Sequence, residues 1–394
     1  MSPLLLDLTH TCHTQARTGI QRVARSLHRE LADRALPITH DPHQRTWRLL
    51  QSWELANVTA SSGAAGKRSA KWPLAARLRG RLKRATGATQ AVDARLSPAS
   101  GLVVPEVFSP AVARALPALL ETVQGARVAL FHDAIALKYP ELSPPKTVAR
   151  FPAYLIELLA FDGIAAVSED SRASLVDYWR WLGIKNLPPV AAIGLGVLTQ
   201  RLDAVGENSP ASMRPVVLSV GTIEGRKNHL ALLDACESLW SSGEQFMLHL
   251  IGLPQNETGV AALTRIRNLQ SSGRLLRYDG VVNDQALNIA YRECAFTVYP
   301  SMIEGFGLPV LESVAHGRPC ICSAKGALGE SARGGGCIGL EKVDAPSLAA
   351  AIGRLLKSPS EVAALTAAAR VRTMRTWADY TSELWAWMDT LARR

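Results

Sequence analysis

Between residues 216 and 323, short apolar runs alternate with longer amphipathic stretches, and no other feature restricts the fold as much. The runs are Val216–Val220, Phe246–Ile251, Leu275–Tyr278, Phe296–Tyr299 and Pro319–Ser323. Runs this short and this apolar, bounded by turn residues, read as strands buried on both faces. The stretches between them, Asn228–Ser241, Val260–Ser271, Asp284–Cys294 and Pro309–His316, read as helices. Asp284 is the expected cap of the third, and Asn228 that of the first. Pro309 in the first turn and Gly317 just past the end bound the last one. Strands that alternate with helices must pair in parallel, so the second half is a doubly wound α/β sheet.

At 394 residues the chain has room for two domains. The first half opens with an apolar run, Leu4–Leu8, a polar loop to Thr18, Gly19 and a helical stretch, Ile20–Ala35. In that stretch Ile20, Val23, Ala24, Leu27 and Leu31 keep the helical period. Arg127–Phe131 and Gly163–Val167 read as further buried strands. Pro188–Pro215, rich in Gly and Pro, reads as the interdomain linker. The tail from Ala345 onward is helical, and Trp377, Leu384, Trp385 and Met388 mark a docking face. The expected domains are 1–195, with a basic insertion at about 61–90, then 196–375, and a terminal helix at 376–394.

No window has the roughly 18 uninterrupted apolar residues of a membrane span. The N-terminus lacks a basic region, and Asp7 interrupts its apolar run, so it reads as a first strand and not a signal peptide. The six cysteines form no Cys-x-x-Cys pair. In a chain this size they read as reduced thiols of a cytoplasmic protein. The net charge of +10 is concentrated in one place. Lys67, Arg68, Lys71, Arg77, Arg79, Arg81, Lys83 and Arg84 occur with no acid among them, and Leu74, Leu78 and Leu82 recur every fourth residue. A basic helix with an apolar stripe suits an anionic membrane surface. Its one aromatic, Trp72, is too few for a nucleic-acid stacking platform.

Two segments carry candidate chemistry. Gly221-Thr222-Ile223-Glu224-Gly225-Arg226-Lys227-Asn228 joins a strand to a helix. Arg226 and Lys227 there suit a diphosphate, one by paired contacts and one as a point charge, with the helix start adding to both. The second segment, Pro300–Pro319, also links a strand to a helix, and carries Glu304 and Glu312 around Gly305-Phe306-Gly307. Carboxylates bind vicinal diols, and loop amides hold an oxyanion. Other patterns complete nothing. Gly334-x-Gly336-x-x-Gly339 lacks the strand and helix that a dinucleotide turn requires. His10, Cys12 and His13 crowd together without a full ligand set, as do His40 and His43, and no metal is expected.

The two segments together resemble the phosphate turn and donor loop of family 4 glycosyltransferases. Weaker likeness runs through LLLDL, RTGIQRV, FHDAIALKYPE and AVSEDSRASL. The resemblance implies the GT-B fold: two Rossmann-like domains with parallel sheets facing a central cleft, and a C-terminal helix returning to the first. It implies retaining hexosyl transfer, of mannose, rhamnose or similar, from a nucleotide-diphosphate sugar to a glycan or lipid-linked acceptor of bacterial surface polysaccharide. No cofactor or obligatory metal is implied, and no nucleic acid.

By the resemblance Arg226 and Lys227 hold the diphosphate, and Glu304 contacts the transferred sugar. Glu312 takes the ribose hydroxyls, and Gly305, Phe306, Gly307 and Leu308 brace sugar and phosphate. Gly221 belongs to the phosphate turn, and His132 and Gly19 face the donor from the first domain. Arg22, Ser168 and Ser171 are further candidates, the two serines as acceptor contacts or helix caps. Many relatives have arginine where this chain has Thr222, which leaves the division of work between Arg226 and Lys227 open. The alternative is a non-catalytic GT-B subunit that binds nucleotide sugar and acts through a partner. The location implied is the cytoplasm, on the inner face of the membrane.

Overall fold

The computed structural model describes residues 4–14, 19–60, 72–88, 101–197 and 214–393. Most of the expected linker, and Lys67, Arg68 and Lys71, lie outside them. The chain divides into two compact units. One comprises 1–132, 150–195 and 377–394, and the other 133–149 and 196–376. Residues 133–149, which sequence order alone put in the N-terminal domain, therefore cluster with the second unit.

The first unit has a seven-stranded sheet in the order β3-β2-β1-β4-β5-β6-β7. Its strands are β1 (Leu4–Asp7), β2 (Ala35–Asp41), β3 (Thr46–Leu49), β4 (Gly101–Val104), β5 (Ala126–Phe131), β6 (Gly163–Ala166) and β7 (Val190–Ala192). All pairings are parallel except β2 with β3. The helix expected from Ile20 to Ala35 runs Gly19–Leu31, and Ala32–Arg34 tighten into a 3-10 turn. Ala35 is thereby released to start β2. The terminal helix Trp377–Met388 belongs to this unit. Its neighbours show how closely it packs: a Cβ on Gly163 would stand 2.8 Å from Trp387, and one on Gly101 3.0 Å from Met388.

The basic helix exists as Leu74–Ala85. It is pinned at two points. Gly80 is so close to the β2–β3 turn that a Cβ there would meet the His43 Cβ at 2.9 Å. Trp72, just before the helix, stacks on His13 with centroids 4.0 Å apart. The leucine stripe faces water: Leu74, Leu78 and Leu82 are 71%, 57% and 64% exposed. Among the described residues, no helix is long and apolar enough to cross a membrane.

The second unit has a six-stranded, wholly parallel sheet in the order β10-β9-β8-β11-β12-β13. Its strands are β8 (Val216–Val220), β9 (Met247–Ile251), β10 (Leu276–Asp279), β11 (Phe296–Tyr299), β12 (Cys320–Ser323) and β13 (Cys337–Leu340). One face is covered by helices His229–Ser241, Val260–Ser271 and Ala345–Lys357. Between them Val217, Leu248, Phe296, Ile321, Leu232, Ile266 and Ile352 form one core, each fully buried or nearly so. Burying such a side chain contributes about 1.5–3 kcal/mol, so this core fixes the frame on which the loops sit. Strand order reverses between β8 and β11, which leaves a crevice at their carboxyl ends.

Two expected caps are corrected. Asn283, one residue before Asp284, caps helix Asp284–Glu293 by accepting from the Ala286 amide at 2.8 Å. Asn228 sits at the cap position of helix His229–Ser241 but is left-handed (φ 55°), and its side chain donates to the Val343 carbonyl at 2.7 Å. A 3-10 turn, Gly225–Lys227, enters the helix there.

Candidate active site

Both signal segments leave the sheet at this crevice. The turn after β8 carries Arg226 and Lys227, and the loop after β11 carries Glu304. The loops are tied by backbone: the Met302 amide donates to the Arg226 carbonyl at 2.9 Å. The turn itself needs close approach, since a Cβ on Gly252 would lie 1.8 Å from the Gly221 carbonyl oxygen. Gly307 starts helix Leu308–Ala315 with φ 100°, and a Cβ there would meet Ser331 and Leu328 at 3.0–3.2 Å. Ser331 Oγ donates to the Phe306 carbonyl and braces the loop from behind.

Glu304 is the charge centre of the site. Its carboxylate accepts from Arg226 Nη1 at 2.5 Å and from Lys227 Nζ. Arg226 Nη2 also meets Glu224 at 2.7 Å. The three paired side chains are only 11–23% exposed. Burial pushes the Glu304 carboxyl up, but Arg226 and Lys227 outweigh it and bring it down to about 2. Burial works against the Arg226 charge, and Glu304, Glu224 and then Asp133 raise its pKa above the ordinary value. Two cations thus face two contacting carboxylates, with Asp133 a further acid in the field. A diphosphate arriving here must replace Glu304 on one or both cations, because two anions cannot share one desolvated seat.

Glu312 does not join this cluster. It is buried in helix Leu308–Ala315 and accepts from the Tyr291 hydroxyl at 3.2 Å. Tyr291 in turn bonds the Tyr299 hydroxyl at 2.9 Å and stacks on His316. The two glutamates thus have separate partners, Glu304 the cations and Glu312 a tyrosine pair. Gly305, Phe306 and Leu308 lie on the loop and first turn between them, and Gly221 packs beside the Lys227 stem, 3.7 Å from where its Cβ would be.

The first-unit candidates are placed as follows. His132 is buried after β5, and its Nε2 donates to the Pro105 carbonyl at 2.7 Å. Gly19 is the first residue of its helix and has open space where a Cβ would go. Arg22 lies one turn further on. Ser168 caps helix Glu169–Trp181, accepting from the Ser171 amide at 3.1 Å, and Ser171 Oγ donates to the His132 carbonyl at 3.0 Å.

Three features escaped the sequence reading. His229 is buried beside the cation pair, with Nδ1 lacking a partner. Burial first and Lys227 second pull its pKa down to about 3, against Glu304. Glu224, far from Glu304 in sequence, joins it on Arg226 only in three dimensions. In the first unit, Asp7 ends β1 and Glu106 follows β4, at that sheet's own order reversal. Burial lifts Asp7 to about 7, with Glu106 adding to it and Thr9 hydrogen bonds opposing. Glu106 accepts from the Thr11 hydroxyl at 2.5 Å and from the His10 and Thr11 amides.

Cys12, His13 and Glu54 stand close enough to share an ion. However, Glu54 meets both Arg48 terminal nitrogens at 2.7 and 2.8 Å, and His13 contacts Glu54 at 2.8 Å and the Thr9 carbonyl at 2.7 Å. The guanidinium already occupies the cation's place, so this trio is a buried ion-pair network under Trp72.

Comparison with known proteins agrees with this architecture. Residues 203–372 match the family described as glycosyl transferases group 1. The chain is 27% identical to the Escherichia coli serotype-specific mannosyltransferase WbdA over 337 residues, 81% of this chain and 38% of that protein. It is 31% identical over 209 residues to the E. coli O-antigen chain mannosyltransferase B, 50% of this chain and 52% of that one. The chain thus spans well under two thirds of the length of these relatives. Among solved structures, sucrose-phosphate synthase from Thermosynechococcus elongatus superposes with a TM-score of 0.67 at 18% identity, covering 99% of this chain and 98% of that one. Residues 203–372 are thus similar to the group 1 glycosyltransferases, and the two α/β units have the GT-B fold.

Proposed function

We propose that the chain is a retaining mannosyl- or related hexosyltransferase of surface-polysaccharide synthesis. Its donor is a nucleotide-diphosphate sugar, and its acceptor a glycan or lipid-linked glycan. The observation that carries this is the Arg226–Lys227 pair at the sheet crevice, beside the start of helix His229–Ser241 and held by one exchangeable carboxylate. The mannosyltransferase relatives support mannose as the sugar.

The chemistry follows from the charges. The bond to break joins the anomeric carbon to the diphosphate, and charge grows on the departing oxygen. Arg226, Lys227 and the helix-start amides stabilise it, which is electrostatic catalysis of the usual kind. When the diphosphate takes the cations, Glu304 is released toward the sugar hydroxyls, and Glu224 keeps Arg226 in place. Glu312, held by the Tyr291 hydroxyl, offers the ribose hydroxyls an acceptor. Because the two cations supply the charge neutralisation, a metal is not obligatory, and a chelator should leave turnover unchanged. Mixing each nucleotide hexose with lipid-linked glycan and following product mass tests the reading. Donor binding with no turnover on any acceptor would favour a binding module instead.

The exposed leucine stripe on helix Leu74–Ala85, flanked by Arg77, Arg79, Arg81 and Arg84, supports docking on an anionic bilayer at the cytoplasmic face. This would hold the first unit beside a lipid-linked acceptor. Co-sedimentation with vesicles rich in phosphatidylglycerol checks it: Leu78→Glu with Leu82→Glu should abolish binding, and unchanged binding would remove the proposal.

A further inference from the structure

At the edge of the second sheet, away from the charge centre, three cysteines meet. β12 and β13 pair in parallel, with Cys320 opposite Cys337 and Ile321 opposite Ile338. Side chains at paired positions share a face, and alternate ones along a strand share it too. Ile321 and Ile338 point into the main core, while Cys320, Cys322 and Cys337 pack together on the other face with Tyr299, Val310 and Leu328. Cys320 and Cys322 are buried, and Cys337 is partly exposed.

A second observation is independent of the thiols. Arg372 donates from Nη2 to the Ser331 carbonyl at 2.9 Å, yet its Nη1 is buried with no hydrogen-bond partner. Leaving a buried charged donor unmet is costly. The Arg372 charge acts on both Cys322 and Cys337. A thiolate in this cluster would bring a negative charge near that guanidinium.

The strand geometry also says which thiol is open to attack. Gly334, Gly335 and Gly336, all with positive φ, lead into β13. They bring the chain against helix Pro359–Val371 so tightly that a Cβ on Gly336 would meet Ala369 at 2.8 Å. This explains the glycine run without a dinucleotide: the run enters a strand, where a phosphate turn would leave one. Cys337 follows directly, at the more accessible end of the cluster.

We infer that Cys337 is a reactive thiolate, a modification site for hydroperoxides and other soft electrophiles, with Cys320 as its resolving thiol. Neighbouring Cys320 and Cys322, and then the Arg372 charge, hold the Cys337 thiol below the usual thiol range against its burial, whereas burial holds Cys320 high. Low thiol pKa beside a cation is what makes a cysteine nucleophilic. In the first step the Cys337 sulfur attacks the terminal oxygen of a hydroperoxide. The O–O bond breaks, a sulfenic acid forms, and the alkoxide or hydroxide leaves and takes a proton from water. The Cys320 sulfur then attacks the sulfenic sulfur. An S–S bond forms, and the hydroxyl leaves as water with the Cys320 proton. Two electrons pass from the thiol pair to the hydroperoxide. The cluster lies behind the donor loop, since Leu328 and Ser331 of the neighbouring helix contact Gly307.

The test is timed alkylation of the native protein with iodoacetamide between pH 5 and 9, read by peptide mass spectrometry. Cys337 should label at least about tenfold faster at pH 6 than buried Cys236, with a midpoint below pH 7. Arg372→Gln, which leaves all three thiols, should slow Cys337 labelling and raise its midpoint. Hydrogen peroxide should give a peptide pair joining Cys337 to Cys320, absent in Cys337→Ser. Labelling of Cys337 no faster than Cys236, or a midpoint above pH 8, would overturn the assignment. So would failure to form any disulfide within the cluster.

Discussion

Replacing Glu304 with glutamine removes the acid that Arg226 and Lys227 share while keeping its size. The carboxyl moves from an ordinary 4.5 to about 2 in the folded chain. At 1.36 kcal/mol per unit, that shift ties ~3 kcal/mol of folding free energy to its ionisation. With 11% of the side chain exposed, solvent screening removes little of this. Because the folded value lies below the unfolded one, the contribution is complete above pH 4.5 and is lost as pH falls toward 2. Glu304→Gln should therefore unfold about 2–3 kcal/mol more easily than wild type at pH 7, and the gap should narrow between pH 4.5 and 3. Urea titrations followed by circular dichroism at several pH values measure it. The same variant should hold a free nucleoside diphosphate at least as tightly as wild type, since the internal competitor is gone, while losing transfer. A gap that stays constant with pH would refute the charge argument. Weaker diphosphate binding by Glu304→Gln would refute the carboxylate exchange.

Other substitutions probe the frame around the site. Gly252→Ala should destabilise the second unit by more than about 3 kcal/mol, because its Cβ would overlap the Gly221 carbonyl; a normal melting temperature would contradict the close approach. Asp7→Asn should stabilise the first unit at pH 8 by on the order of 3 kcal/mol. The folded carboxyl titrates near 7, so its charged form opposes folding as pH rises through that value, and the benefit should fade toward pH 4; a pH-independent effect would count against this. Tyr291→Phe should weaken binding of the nucleoside part about tenfold without disturbing the Arg226–Lys227 pair, as read by comparing a nucleoside diphosphate with inorganic diphosphate.

The second sheet was legible because parallel strands are buried on both faces and so appear as plain apolar runs. Each expected strand from Val216 to Ser323 is found within a residue or two of its predicted ends. The first sheet was harder to read. β2 and β3 bury His40, Asp41 and Arg48 on one another and on Glu54, so their sequences do not look apolar. The site shows the same limit. Strand-to-helix junctions located Arg226, Lys227 and Glu304. Spacing along the chain gave no sign that Glu304 would seat itself on both cations, or that Glu312 would face Tyr291. Nor could composition separate an Asn228 that caps a helix from one that turns left-handed to reach Val343. Those outcomes depend on which loops meet across the sheet, which local periodicity does not encode.

We propose above that Arg226 and Lys227 form the diphosphate seat of a nucleotide-sugar donor. Isothermal titration of wild type and Lys227→Ala with guanosine- and uridine-diphosphate hexoses tests it most directly. At least one donor should bind wild type, and Lys227→Ala, folded by circular dichroism, should bind it at least about tenfold more weakly. Equal affinity in the two proteins, or no nucleotide sugar bound by wild type, would contradict it.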